Sequence, residues 1–154
     1  MPKINLGTVL TTLKNEPFKN GSPELKFLLD ADGKIRRSPA GEPLVELHPD
    51  GRPVIVKEAP DMTLGDVCLA ALNATLQSDK QATPELKDQT AKFMLAIKLS
   101  NGGEQDLTAD EITMLKKRVQ EMYAPSYVVV VRACAALDPS DPACHTGKAK
   151  AVRK

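Results

Sequence analysis

The chain of 154 residues sets 20 acidic against 21 basic side chains, so its overall field selects no strongly charged partner. That length suits one ordinary domain with appendages and is short for two. Hydrophobic residues make up 42% but aromatic ones only 3%, with no Trp, which requires an aliphatic core. The same scarcity argues against RNA-recognition and single-strand-binding modules, whose bases stack on aromatic rings. Three cysteines, Cys68, Cys134 and Cys144, form no CxxC pair and no secreted disulfide framework. There is no N-terminal signal pattern, and no apolar run approaches the ~20 residues that span a bilayer. A reducing cytoplasm without membrane contact is the expectation.

Residues 1–60 hold eight of the twelve prolines, at positions 2, 17, 23, 39, 43, 49, 53 and 60, which excludes long helices there. The segments between them read as strands over 4–13, at 18, and over 24–29, 33–36, 44–47 and 54–56. Asp32-Gly33 and Asp50-Gly51 each lie between apolar segments and predict tight hairpin turns, since both residue types tolerate positive φ. Glu16-Pro17-Phe18, Glu42-Pro43-Leu44 and Arg52-Pro53-Val54 form a weak internal echo. Proline suits the first residue of an edge strand, which accounts for the echo without a repeated binding motif.

From Asp61 the pattern becomes helical. Thr63 with Asp66 caps a first helix whose buried face is Leu64, Val67, Cys68, Ala71, Leu72 and Leu76, and Ser78-Asp79-Lys80 breaks it. Thr83-Pro84-Glu85 predicts the start of a second helix, with Thr83 as cap and Leu86, Phe93, Met94 and Ile97 as buried face, stopped by Asn101-Gly102-Gly103. Thr108 and Glu111 have the spacing of a capping box, with Leu107 and Ile112 as its hydrophobic staple. Behind that cap, Ile112, Leu115, Val119, Met122 and Tyr123 recur at helical spacing, with Lys116, Lys117 and Arg118 on the solvated side. After Ala124-Pro125, Tyr127 to Leu137 read as a buried helix, although Val128 to Val131 are β-branched and suit a strand. The expected fold is therefore α+β: a proline-rich β-ribbon over 1–60, a three- to four-helix bundle over 61–137, and a basic tail over 138–154.

Motifs with chemical content are scarce. Asp30-Ala31-Asp32-Gly33 resembles the opening of a calcium loop, but with Gly33 sixth, the first and twelfth positions fall on Leu28 and Pro39. Cys68 and Cys134 sit on apolar helix faces as small hydrophobes, Cys144 reads as an exposed thiol, and adjacent Cys144-His145 do not pre-form a zinc site. Two histidines, His48 and His145, leave no nucleophile with an evident base, and no glycine-rich phosphate loop is present. No catalytic residue, metal or cofactor is expected, and the chain reads as non-enzymatic.

Two binding surfaces are. Apolar residues on the ribbons, Phe18, Phe27, Leu44, Val54 and Ile55, are candidates for contact with a protein partner or a second copy, because exposed strand edges add strands from elsewhere. The tail has no acid after Asp141, and Lys148, Lys150, Arg153 and Lys154 make it the candidate for phosphate backbones, alone or with Lys116-Lys117-Arg118.

Ile4-Asn5-Leu6 with Val9-Leu10-Thr11, Met62-Thr63-Leu64-Gly65-Asp66-Val67 with Ala71-Leu72, and Leu107-Thr108-Ala109-Asp110-Glu111-Ile112 through Tyr123-Ala124-Pro125 together resemble a group of small proteins of tailed bacteriophages and prophages. The resemblance covers about 90 residues in two blocks, and 21–60 stand outside it as an added ribbon. It implies a phage context and little about activity; taken with the ribbon edges and the absence of reactive constellations, the expectation is a protein-binding virion or assembly component, or an inhibitor of a host complex, in the bacterial cytoplasm or the virion.

Overall fold

A computed structural model describes residues 1–81 and 83–144 and shows a mixed α+β protein with four main helices and two small antiparallel sheets among the described residues. The chain divides into two units, one built from Met1–Phe18 with the chain from Asp61 onward, the other from Lys19–Pro60. The expected boundary at residue 60 therefore moves. The first 18 residues join the helices because Ile4, Leu6 and Leu10 are buried in the helical core.

In the helical unit, β1 (Lys3–Asn5) pairs antiparallel with β4 (Glu104–Asp106), Ile4 opposite Gln105. The sequence suggested one strand over 4–13 and none at 104–106. The strand is shorter because the Asn5 side chain accepts a hydrogen bond from the Gly7 N–H at 2.9 Å, turning the chain. Both capping boxes form. Thr63 opens α1 (Leu64–Asn73) by exchanging hydrogen bonds with Asp66 at 3.0 and 3.2 Å, and Thr108 opens α4 (Ala109–Met122) with Glu111 at 2.8 and 3.2 Å. Residues Tyr127–Leu137 are helical, α5, with Val129, Ala133 and Leu137 in the core.

The helices differ from expectation at three points: α1 ends at Asn73, so Leu76 is buried beyond it and Ser78-Asp79-Lys80 lie in a separate helical turn; Met122 of α4 is 37% exposed; and a third main helix turns a different face inward. α3 (Leu86–Ser100) starts after Glu85, whose backbone is extended, so Thr83 and Pro84 precede it and no side chain caps it. Its core residues are Leu95 and Leu99, which pack with α1. Leu86, Phe93, Met94 and Ile97 are instead 78%, 65%, 55% and 42% exposed. At 100° per residue, Leu95 lies nearly opposite Phe93, so this helix carries two apolar stripes and buries the narrower one.

Arg118 of α4 ties this unit together. It is 6% exposed and is the buried charged residue among those described. Its Nε donates to the Ala71 carbonyl at 2.9 Å, and Nη2 donates to Leu72 at 3.2 Å and Ala74 at 2.7 Å, so it satisfies the free carbonyls at the end of α1. Nη1 and Nη2 also grip both carboxylate oxygens of Asp79 at 2.9 and 3.1 Å, on the single-turn helix α2 (Gln77–Lys80). Arg118 therefore does not join Lys116 and Lys117 in a basic face. Lys116 is itself paired with Asp138 and Asp141.

Residues Lys19–Pro60 are held in a different way. β2 (Glu24–Leu25) pairs with β3 (Ile55–Lys57), and the rest of the unit is hairpins that fork from one another. Each fork is a closed ring of three backbone hydrogen bonds. Leu28 N–H donates to Leu44, Leu44 to Arg36 and Arg36 back to Leu28, at 2.8–2.9 Å. Lys26, Val54 and Glu46 close a second ring in the same way, and Leu10, Met62 and Phe18 close a third in the helical unit.

The hairpin tips are copies of one turn. In 30–34, 38–42 and 48–52, and again at 12–16 in the helical unit, the first residue's N–H donates to the fifth residue's carbonyl and the fourth residue's N–H donates back to the first. The fourth residue has positive φ each time: Gly33 at 78°, Gly41 at 84°, Gly51 at 85° and Asn15 at 61°. The turns foreseen at Asp32-Gly33 and Asp50-Gly51 are present, with only the glycines left-handed. Pro17, Pro43 and Pro53 each follow such a turn, opposite Thr11, Arg37 and Leu47. Hydrogen-bonded pairs flank these positions, so the missing proline N–H costs nothing. The sequence echo is this repeated geometry.

Three outcomes test this account. Arg118→Ala strands Asp79 and the α1 carbonyls and should lower the stability of the helical unit by about 3 kcal/mol, read from urea unfolding at 222 nm. Asp79 is held well below the usual carboxylate range, first by the Arg118 hydrogen bond and then by the Leu76 N–H. A depressed folded value means its stabilisation is complete above the unfolded value of about 4 and is lost as pH falls below it. The stability gap between wild type and Asp79→Asn should therefore shrink from pH 6 to pH 2. In the forked unit, Gly51→Val should cost about 1–2 kcal/mol and speed exchange of the Val54 amide hydrogen, while Gly51→Asn, following Asn15, should cost less.

Candidate functional site

The pairing of residues 19–60 sorts their side chains. Directly opposed residues share a face, and alternate residues along a strand return to it. The opposed pairs are Leu25 with Ile55, Phe27 with Val45, Leu29 with Ile35, Leu47 with Pro53, and Arg37 with Pro43. All ten residues fall on one face, and nine are apolar. The ring positions Lys26, Leu28, Arg36, Leu44, Glu46 and Val54 fall on the other, where Lys26 Nζ and Glu46 Oε2 pair at 2.8 Å. Each turn advances the chain by four residues, an even number, so parity survives every hairpin. Odd positions from 25 to 55 make the apolar face.

That face is open. Phe27 is 37% exposed, Leu29 58%, Ile35 41%, Leu47 56% and Ile55 41%. Among the described residues of this unit, Ala59 alone is buried. Beside Pro53 and Ile55 lies a shallow groove of about 780 Å³, also lined by His48, Asp50, Arg52 and Glu58.

The five residues anticipated for protein binding do not converge. Phe27 and Ile55 share the apolar face. Leu44 and Val54 are half-buried ring residues on the polar face, and Phe18 packs half-buried against the core of the helical unit. Of the eight other members of that face, Leu25, Leu29, Ile35, Val45 and Leu47 are the large apolar ones; none was anticipated, and parity across even-length turns is the signal that groups them. Lys148, Lys150, Arg153 and Lys154 lie outside the described residues.

Other surfaces offer less chemistry. A depression of about 410 Å³ between α2, α3 and α4 mixes Asp79, Asp88 and Glu121 with Lys92, Lys117 and Arg118. Burial, followed by proximity to Cys134, pushes the Cys68 thiol up to about 12, and burial followed by Cys144 pushes Cys134 up to about 11, so neither is a thiolate near neutral pH. Cys144 is half-buried rather than exposed, its Sγ 3.8 Å from Asp141 Oδ2. No helix among the described residues is long and apolar enough to cross a membrane. The chain matches no protein-family model, no curated protein and no solved structure.

Proposed function

We propose that this chain is a non-enzymatic protein-binding module whose contact surface is the apolar face of residues 19–60. The observation that carries the proposal is the uneven distribution of side chains on that forked sheet: nine of ten residues on one face are apolar and five of its large side chains are more than a third exposed, whereas the other face mixes Lys26, Arg36 and Glu46 with half-buried Leu28, Leu44 and Val54. Contiguous apolar surface of this kind on a soluble protein is a mark of interaction sites. The rim is polar, as interface rims are, with Arg52, Asp50 and Glu58 along the groove beside Ile55. In keeping with the resemblance to phage-encoded proteins, the proposal extends to a virion or assembly component or an inhibitor of a host complex.

The test is capture on the immobilised full chain, with nuclease-treated and untreated lysate of the bacterial host run in parallel. A protein partner should survive nuclease. Ile55→Asp should weaken its binding at least tenfold, about 1.4 kcal/mol, while Val54→Thr on the opposite face should leave it within twofold. Capture that nuclease abolishes would overturn the proposal and pass the binding role to the tail residues Lys148, Lys150, Arg153 and Lys154.

A further inference from the structure

We propose that Cys134 and Cys144 form a redox-responsive pair, which a hydroperoxide converts into a disulfide that fixes the turns after α5 to that helix. The proposal concerns the helical unit and is independent of the forked face.

The chain between the two cysteines brings them together. Cys134 lies in α5 and is 2% exposed, and Cys144 ends the single 3₁₀ turn Pro142–Cys144, which packs back on α5. Three successive turns fold the intervening residues. The Asp138 N–H donates to the Cys134 carbonyl at 2.9 Å, the Asp141 N–H to Asp138 at 3.1 Å and the Cys144 N–H to Asp141 at 3.1 Å. Lys116 of α4 anchors these turns by pairing with both Asp138 and Asp141. The Cys144 thiol is thereby left within hydrogen-bonding reach of the Cys134 sulfur. Cys68, 0% exposed, neighbours Cys134 on the inner side, so the three sulfurs run from the core outward with Cys134 in the middle.

Exposure assigns the roles. Cys144 is half-buried where the other two are buried, so a small solute in water meets it first. Its thiolate attacks the peroxide: an S–O bond forms, the O–O bond breaks, and the departing oxygen takes up a proton as water or alcohol. The Cys134 sulfur then attacks the Cys144 sulfenic acid, forming the S–S bond and breaking S–O, and the hydroxide leaves as water with the Cys134 proton. Two thiols are oxidised by two electrons and one peroxide is reduced. Burial, then the Asp141 carboxylate, raises the Cys144 thiol while Lys116 acts against them, so the reaction is slow near neutral pH and speeds up as pH rises. In the thiol form the segment from Asp138 to Cys144 is held by ion pairs that salt screens. In the disulfide form it is held covalently to α5.

The test treats the reduced full chain with an alkyl hydroperoxide at pH 8, alkylates the remaining thiols under denaturing conditions and maps them by mass spectrometry. Wild type should lose two hydrogen atoms and keep one alkylatable thiol, Cys68, with Cys134 and Cys144 joined within one chain. Cys144→Ser, a change at a half-buried position, should leave Cys134 alkylatable. Amide hydrogen exchange then reads the fixing of the turns. Raising the salt to about 1 M should speed exchange of the Cys144 N–H about tenfold in the thiol form and less than twofold in the disulfide form. Oxidation that stops at a sulfenic or sulfinic acid on Cys144, joins Cys134 to Cys68, links two chains through Cys144 or consumes Cys134 in the Cys144→Ser chain overturns the pair. A disulfide form whose Cys144 N–H answers to salt as the thiol form does overturns the fixing of the turns.

Discussion

A strand pair can fork only if the backbone groups at the branch still find partners, and here each branch solves this with three residues whose N–H groups chase one another around a ring. Every ring residue turns both its N–H and its C=O inward. That single constraint fixes much else. It makes the ring side chains point to one side, it puts the residues between rings and turns on the other, and it leaves non-hydrogen-bonded pairs where proline fits. The forked unit is therefore specified by backbone pairing and not by an interior. An open apolar face follows directly: pairing can be complete while one whole side of the sheet has nothing packed against it.

The helical unit obeys the opposite logic. Its specification is burial, with Leu64, Val67, Leu95, Leu107, Leu115 and Leu137 fully enclosed, and one charged side chain admitted under strict terms. Arg118 is tolerated inside because each of its three guanidinium nitrogens donates to an oxygen, the acceptors being three carbonyls near the end of α1 and both carboxylate oxygens of Asp79. One side chain thus sets where α1 ends, where the turn of α2 sits and how α4 lies against them. Lys92 reaches the same carboxylate from α3 at 3.1 Å, which brings a third main helix to the same point.

What could be read from sequence tracks these two logics. Caps are local, so Thr63 with Asp66 and Thr108 with Glu111 were legible, as was the end of α3 at Gly102-Gly103. Most of the α1 and α4 core faces was legible because each helix has one apolar stripe, although Leu76 is buried beyond the end of α1 and Met122 of α4 is exposed. α3 was not, because Leu86, Phe93, Met94 and Ile97 form a stripe as regular as the one through Leu95 and Leu99, and only the position of α1 decides between them. Arg118 looked like its neighbours Lys116 and Lys117, since nothing in the local sequence reveals that the end of α1 lies 47 positions away and needs donors. In the ribbon, the turns at Gly33 and Gly51 were legible from Asp-Gly, whereas Ser38 to Glu42 carries a weaker signature. Missing one turn hides a fork, and with it the register that gathers Leu29, Ile35 and Leu47 around Phe27.

Two of the exposed apolar surfaces among the described residues are not equivalent. The stripe on α3 belongs to a unit that already has a closed aliphatic core, and within it Thr90 interrupts the run from Leu86 to Phe93. Its exposure is surplus to a fold that stands without it. The face of residues 19–60 is most of the apolar surface its unit possesses, so leaving it in water forgoes the main term that could stabilise that unit. A sequence that alternates so consistently through three turns, with polar residues at most even positions and apolar ones at odd positions, spends that pattern on a surface the monomer does not bury. Alternation of this kind adds stability only when something covers the apolar side, which is the ground for proposing the forked sheet, and not the helices that surround the larger core, as the contact surface.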